Sequence, residues 1–336
     1  MSNSKYAALM LGLGSMLAVM VVAALCVGRY SIDPLDVIHV LKAKILGEAP
    51  PDEAMHNILF LVRFPRVAAS LLVGAALSLS GAAYQSIFRN PLVSPDLLGV
   101  SAGASVGASA AIFLSLSLRT TQLFAFSGGI LAVLLAASLP KLMRNSSNMM
   151  LVLSGIIVSG LMNAIIGMFR FIARDGDQLA AIVFWQMGSL ARIDTDQIAA
   201  ILPPILAGLA LMVALSWRLN IVSFGEQEAL TVGVNATLIR VLMVAFASLM
   251  TASAVCVSGT IGWVGLIIPH FGRLICGSDN TKLMPVTAIL GGAFLLFVDT
   301  LARTVTSAEI PLSILTGLAG APFFAWLLSR NRLKVL

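Results

Sequence analysis

RNPLVSPDLLGVSAGASVG, residues 89–107, interrupts a long apolar chain with a polar turn and then continues it. The two prolines each remove a backbone hydrogen-bond donor, so one continuous helix cannot pass through the turn. Gly99, Gly103 and Gly107 recur at every fourth residue, which predicts three positions without side chains on one helix face. In lipid such a face lets a second backbone approach closely. The stretch predicts a broken, closely packed element of a membrane bundle, although a simple helix–helix contact also explains the glycines.

The composition predicts an integral membrane protein. Of 336 residues, 59% are hydrophobic and 11% are charged, with a mean hydropathy of +0.98. Soluble chains carry about 25% charged residues, and about 20 residues make one transmembrane span. We therefore predict an all-α, polytopic fold of about ten spans, in which residues 1–336 form a single transmembrane domain. The net charge of +6 then reflects basic residues on the cytoplasmic side rather than a nucleic-acid partner.

The apolar runs define ten predicted spans. Their approximate limits are 6–27, 64–85, 96–118, 122–140, 149–172, 197–217, 241–258, 261–275, 283–301 and 310–328. An even number of spans puts both termini on one side of the membrane, which we assign to the cytoplasm. The basic residues divide almost evenly between the two sides, whereas the acidic residues fall mainly outside. The polar stretch 218–240 is predicted to be a cytoplasmic loop.

A weak internal repeat accompanies this count. Ser80–Gly81 precedes Pro91 by ten residues from the glycine, and Ser258–Gly259 precedes Pro269 by the same ten. If both pairs lie where one span meets the next, spans 2–5 and 7–10 are inverted-topology copies. Coincidence is the alternative, since Ser-Gly and Pro are common at span ends.

The sequence offers no catalytic or metal-binding motif. It contains no Gly-Lys dipeptide and therefore no phosphate-binding P-loop, and it has no HExxH motif. Its three cysteines and three histidines have no metal-ligand spacing, so we predict neither a cofactor nor an enzyme. The spans are almost free of ionisable residues apart from a helical Asp299–Arg303 pair. This argues against a proton-coupled secondary transporter, which stays the alternative interpretation.

Within 218–240, the segment FGEQEALTVG predicts a short amphipathic helix between two glycines. Such a helix, exposed in the cytoplasm, could bind in a groove of another protein. An ordinary surface helix between two spans is the simpler interpretation.

Several blocks of the sequence resemble one known family. They are RFPR (63–66), GAALSLSGAAYQSIFRNPLVSPDLLGVSAGASVG (74–107), GTIGWVGLIIPHFGRLICG (259–277), LLFVDTLAR (295–303) and IPLSILTGLAGAPFFAWLL (310–328). These look like the signature blocks of the permease subunits of binding-protein-dependent ABC importers for iron–siderophore, haem and cobalamin. The resemblance covers about residues 60 to 330.

The resemblance implies a partnership and a location. The expected assembly contains a second copy of the permease, two cytoplasmic ATPase subunits and an external substrate-binding protein, in a prokaryotic plasma membrane. ATP closing the two ATPases would move the permease between inward-open and outward-open states. The substrate expected most broadly for the family is an iron–siderophore chelate, with haem, cobalamin or a metal oxyanion as alternatives.

The resemblance also assigns residue roles. It implies that Arg63, Arg66 and Arg303 are external arginines that receive acidic residues of the binding protein; a solvated interfacial anchor is the ordinary alternative. It matches residues 224–233 to the coupling helix that sits on the ATPase. The residues assigned to coupling are Phe224, Gly225, Glu226, Glu228, Ala229, Leu230 and Gly233.

An inner gate is implied between spans 4 and 5 and at the turn after span 2. The residues assigned to it are Asn145, Ser146 and Ser147, with Asn90 and Leu92 at a second constriction. For the serines, a plain turn between two spans is the alternative.

Overall fold

A computed structural model describes residues 1–48, 52–144 and 147–332, and all regular structure in these ranges is helical. The helices are α1 (Asn3–Cys26), α2 (Pro34–Leu46), α3 (Glu53–Asn57), α4 (Phe64–Ile87), α5 (Val100–Phe113), α6 (Leu118–Leu142), α7 (Asn148–Phe171), α8 (Gly176–Met187), α9 (Thr195–Phe224), α10 (Glu226–Thr231), α11 (Ala236–Ser258), α12 (Val264–Cys276), α13 (Asn280–Thr304) and α14 (Leu312–Arg332). A π-helical turn, Ile58–Arg63, joins α3 to α4, and a 3₁₀ turn, Pro95–Leu98, precedes α5.

Ten apolar helical segments correspond to the ten predicted spans. Within the described ranges, seven are long and apolar enough to cross a membrane, namely Asn3–Cys26, Glu53–Ile87, Leu118–Leu142, Met149–Phe171, Thr195–Phe224, Ala236–Ser258 and Asn280–Thr304. Three shorter apolar helices are Val100–Phe113, Val264–Cys276 and Leu312–Leu327. The all-α, polytopic prediction is confirmed.

The third and eighth predicted spans are shorter than the sequence suggested. α5 and α12 begin only after residues with left-handed backbone, Gly99 (φ 79°) and Trp263 (φ 72°), rather than at 96 and 261. The 14 residues of α5 reach about 21 Å at 1.5 Å per residue. That is less than the roughly 30 Å hydrocarbon core, so irregular turns complete both crossings inside the bundle.

Successive spans run in opposite directions, which gives the bundle two distinct ends. The Lys282 ammonium donates to the Met1 carbonyl 2.7 Å away, so the N-terminus lies beside the start of α13. At the opposite end, the Leu312 N–H at the start of α14 donates to the Gly188 carbonyl just after α8. We call the first the α10 end, because α10 lies there. We call the other the arginine end, because it holds Arg63, Arg66 and Arg303.

α4 is the most buried long helix and packs against α9, α11, α12 and α13. Its glycines allow backbone-to-backbone contact: a methyl group on Gly81 would lie 1.8 Å from the Gly265 carbonyl oxygen of α12. Buried hydroxyls add short-range polar contacts, such as Tyr84 with Ser248 of α11 at 2.8 Å. α4 therefore forms the centre of the packed core.

The residue pairs taken as anchors of an internal repeat are not equivalent. Ser80–Gly81 lies inside α4, whereas Ser258–Gly259 ends α11. Pro91 lies in the turn before α5, but Pro269 lies inside α12. That part of the prediction is wrong, because equal sequence spacing fell on different structural elements. An inverted repeat of spans 2–5 and 7–10 stays a prediction. In such a repeat α4 is equivalent to α11 and α13 is equivalent to α6, so the contact of α4 with α13 corresponds to the contact of α11 with α6.

The glycines of the opening stretch divide into two roles. A methyl group on Gly103 would lie 2.3 Å from the Gly128 carbonyl oxygen of α6, and one on Gly107 would lie 2.0 Å from the Phe124 carbonyl oxygen. Gly99 does not share this face. It precedes α5 with a left-handed backbone and faces Ser159 of α7, because the 3₁₀ turn delays the helix start.

Gly103→Leu should destabilise the fold, because the new side chain must displace the α6 backbone. Overpacking of this kind costs about 1–3 kcal/mol. The measurement is the thermal unfolding temperature in detergent, compared with Gly12→Leu, whose position has no atom within 4 Å of an added methyl group. Equal unfolding temperatures for the two variants would contradict the α5–α6 contact.

Candidate functional site

The three predicted docking arginines are buried at the arginine end. Arg63, Arg66 and Arg303 are only 3–8% exposed. Arg66 contacts Asp299 of α13 at 2.8 Å through its Nε and Glu309 at 2.8 Å through Nη1. Arg66 therefore ties the start of α4 to the end of α13 and to the loop that follows it.

The other two arginines bind the end of α1. Arg63 donates to the carbonyls of Leu25, Cys26 and Tyr30, and Arg303 donates to the carbonyl of Ala24. The last carbonyls of a helix have no partner within the helix, and cations are favourable there. These two arginines therefore anchor the end of α1 to α4 and α13.

This geometry contradicts the alternative of a solvated interfacial anchor. The three arginines are buried, and internal carboxylates and carbonyls already accept their hydrogen bonds. The most accessible partner is Glu309, whose side chain is 31% exposed. Sequence reasoning missed Glu309, because it lies in an irregular loop distant in sequence from Arg66. A docking role for the arginines stays a prediction.

Arg66→Ala should destabilise the protein, because it leaves the buried Asp299 without its closest cation. Removing one partner of a buried ion pair costs about 3–5 kcal/mol. We expect a lower thermal unfolding temperature in detergent than for Arg192→Ala, which removes an exposed arginine. Adding Asp299→Asn to Arg66→Ala should recover part of the loss. An unfolding temperature for Arg66→Ala equal to that of Arg192→Ala would show that the pair adds nothing.

The segment predicted for coupling lies at the α10 end, between α9 and α11. Gly225 and Gly233 flank α10 with positive φ angles of 154° and 72°. Side chains other than glycine rarely adopt such backbone angles, so both turns favour glycine. Ala229 is fully buried and holds α10 against its neighbours, while Glu226 lies 3.7 Å from Arg240 of α11.

The outer side of this segment carries an exposed apolar surface. Phe224 is 77% exposed and Leu230 is 66% exposed, with Val232 also exposed beside them. We call these three residues the α10 patch. Large apolar side chains exposed at the end of a membrane bundle make this patch a candidate surface for contact with another protein.

The predicted gate residues that the structure describes, Asn90, Leu92 and Ser147, also lie at the α10 end. Asn90 and Leu92 form the turn after α4, where the Asn90 side chain accepts from the Leu92 N–H at 2.9 Å. Ser147 caps α7 by accepting from the Met150 N–H at 3.2 Å. Asn145 and Ser146 lie outside the described residues. The structure places Ser147 and the Asn90 turn at the same end of the bundle.

Arg89, which the sequence left without a role, joins this turn to the end of α9. Its guanidinium donates to the Val222 carbonyl at 3.1 Å, two residues before Phe224. Arg89 itself has a left-handed backbone, with a φ of 48°. The turn that carries Asn90 is thereby linked to the chain that leads into α10.

An acidic cap stabilises the same end. Asp279 precedes α13 and accepts hydrogen bonds from Thr281 and from Asn220 of α9. Burial opposes its ionisation, but these hydrogen bonds outweigh burial and lower the pKa of the carboxyl. Its contribution to stability is therefore present above the unfolded carboxyl's pKa, about 3.9, and is lost as pH falls through the lower folded value.

A polytopic helix bundle with a buried arginine network at one end and an exposed apolar patch at the other has the architecture of a membrane transport subunit. The chain belongs to the FecCD transport family, whose sequence profile matches residues 16–330. It is accordingly a multi-pass permease subunit of an ABC importer, in which ATP hydrolysis belongs to a separate ATPase. The prediction of an ABC-importer permease is confirmed, and the alternative of a proton-coupled secondary transporter is not supported.

Two relatives and one solved structure illustrate the similarity. The molybdate import system permease protein MolB of Haemophilus influenzae is 39% identical over 328 residues, covering 96% of each chain. The probable iron chelatin transport system permease protein of Helicobacter pylori is 41% identical over 275 residues, covering 82% of this chain and 83% of its own. An inward-facing structure of an ABC transporter of the proposed metal-chelate type matches with a TM-score of 0.86 and 37% identity, covering 96% of this chain and 99% of that one.

Proposed function

We propose that two copies of this permease form the membrane path of an importer that takes a metal chelate from an external binding protein into the cytoplasm. In this proposal the α10 end and both termini face the cytoplasm of a prokaryotic cell, and the arginine end faces outward. The α10 patch is the observation that carries the proposal, because it gives an ATPase subunit an exposed apolar surface.

The packing of α10 supports a mechanical role. Ala229 is buried against the bundle, while Leu230 next to it is exposed. A partner bound to the exposed side of α10 would therefore push its buried side against the bundle. Force from the patch would reach α9 through Gly225. It would then reach the Asn90 turn through the hydrogen bond between Arg89 and the Val222 carbonyl of α9. The proposed inner gate, which includes Asn90, Leu92 and Ser147, would respond to ATPase movement through this linkage.

Replacing the exposed residues alone separates coupling from folding. Ala229 is left unchanged, because it is fully buried and its replacement would disturb the core. Leu230→Glu with Val232→Glu should weaken ATPase binding about tenfold or more, because two apolar contacts are lost. The measurement is ATPase co-purification, together with ATP hydrolysis stimulated by loaded binding protein in vesicles.

Val305→Glu serves as the matched control, since it adds a charge at an exposed apolar position of the opposite end. It should leave co-purification of the ATPase unchanged. Full stimulation of ATP hydrolysis in the Leu230/Val232 double variant would place the ATPase contact elsewhere.

We propose that the binding protein docks at the arginine end, where one of its carboxylates takes the place of a carboxylate of the permease. An acidic residue of the binding protein would replace the accessible Glu309 beside Arg66, while Arg63 and Arg303 keep the end of α1 in place. This retains the docking hypothesis for Arg66 and gives Arg63 and Arg303, which bind backbone carbonyls near the end of α1, a positioning role.

Glu309→Gln should tighten binding-protein association about two- to fivefold, because it removes the internal competitor from a partly exposed charge contact. The gain should shrink at high salt. The measurement is binding affinity in nanodiscs, with Glu53→Gln as a control for the loss of an exposed carboxylate. Unchanged affinity in Glu309→Gln would mean that the binding protein does not use Arg66.

The proposed substrate is an iron chelate of the siderophore type, with a metal oxyanion as the second candidate. The Helicobacter pylori relative is named for an iron chelatin and the Haemophilus influenzae relative for molybdate. A ligand screen on the cognate binding protein, with ferric siderophores and molybdate as probes, separates the two candidates.

A further inference from the structure

A cavity of about 440 Å³ opens between α6, α9 and α11 at the arginine end. This volume lies within the roughly 300–1,000 Å³ of small-molecule sites. Its walls are mostly apolar and include Leu123, Phe126, Ile201, Pro204 and Val257. The cavity belongs to none of the surfaces described above.

The surroundings of the cavity are suited to lipid rather than to an aqueous ligand. Leu123 at its edge is exposed, and so are Leu202 and Leu206 further along α9. In a chain that spans the membrane, exposed leucines on two adjacent spans face acyl chains. The apolar interior of the cavity is therefore continuous with the lipid-facing surface.

The mouth of the cavity carries one positive and one negative charge. Arg119, in the first turn of α6, contacts Asp196, in the first turn of α9, at 2.6 Å, and both side chains are about 70% exposed. Both residues line the cavity. A ligand that fits this mouth carries both charge signs close together, above an apolar body.

A buried donor lies beside this ion pair. The Gln197 side chain lines the cavity and is 4% exposed. Its oxygen is engaged in the capping box of α9, where it accepts from the Asp194 N–H. Its amide nitrogen, Nε2, is buried and has no acceptor among the described residues. An unpaired buried donor is costly, so an oxygen acceptor in the cavity favours a turn of the Gln197 amide toward the cavity.

We propose that this cavity binds a phospholipid whose headgroup ends in a primary ammonium, the chemistry of phosphatidylethanolamine. The phosphate binds Arg119, the ammonium donates to Asp196, and an acyl chain fills the apolar cavity. After the Gln197 amide has turned toward the cavity, an ester or phosphate oxygen accepts from its Nε2. A net-anionic headgroup meets repulsion from Asp196, and a choline headgroup has no N–H to donate, so both bind less well.

Such a lipid would bridge the beginnings of α6 and α9. α6 packs on α5 through the glycine contacts, and α9 leads into α10. The bound lipid would thus stabilise two spans that otherwise meet at this level through one exposed ion pair.

The test is native mass spectrometry of the full chain in detergent, with phosphatidylethanolamine, phosphatidylglycerol and phosphatidylcholine of identical acyl chains added separately. We expect phosphatidylethanolamine to be retained about two- to fivefold more than the other two, the effect of one exposed charge contact. Equal retention of all three headgroups by the unaltered protein would overturn the proposal.

Two variants separate headgroup from cavity. Asp196→Asn, at an exposed position, should abolish the preference, whereas Asp177→Asn on α8 should keep it. Ala200→Phe, at the cavity wall, should lower the retention of all three lipids by filling the cavity. If Ala200→Phe fails to fold, the Asp196→Asn comparison decides alone, and a preference that survives it overturns the proposal.

Discussion

Close contact between helix backbones is the constraint on which the rest of this structure depends. In lipid, apolar side chains gain little by leaving one apolar environment for another, so helices associate through packing and short polar contacts. α4 meets this requirement with glycines that touch the backbones of α12 and α13 and with hydroxyls bonded to neighbouring carbonyls. α5 and α6 repeat the same solution through Gly103 and Gly107. The tightly packed centre then fixes where the two polar ends of the bundle lie.

Charged residues are concentrated at those two ends, where they differ in burial. At the arginine end, Arg66, Asp299 and Glu309 form a buried network that joins α4, α13 and a loop. At the α10 end, charged groups are mostly exposed, and the α10 patch is exposed as well. A rigid polar network at one end and a short, glycine-flanked helix at the other suit a subunit that must hold one partner in register and respond to another.

The sequence predicted the number and order of the apolar segments, because length and hydropathy of a span are local properties. It also located the short helix at 224–233, since glycines and an amphipathic run are visible in the chain itself. It misplaced the starts of two helices. The 3₁₀ turn and the left-handed Gly99 delay α5 beyond Pro95, and the left-handed Trp263 delays α12. The anchors of the supposed repeat failed for a similar reason, since spacing alone does not say which residues lie inside a helix.

The sequence by itself determined that this is a multi-pass α-helical membrane protein, and its motif blocks indicated the importer family. Only the tertiary structure decided what its charged residues touch. Arg63, Arg66 and Arg303 look like surface groups in the chain, yet folding brings them against Asp299, Glu309 and the last carbonyls of α1. Hydropathy is a property of each segment alone, whereas the partner of a charged group can lie far along the chain. Arg63 binds the Leu25 carbonyl 38 residues away, and Arg66 binds Asp299 233 residues away.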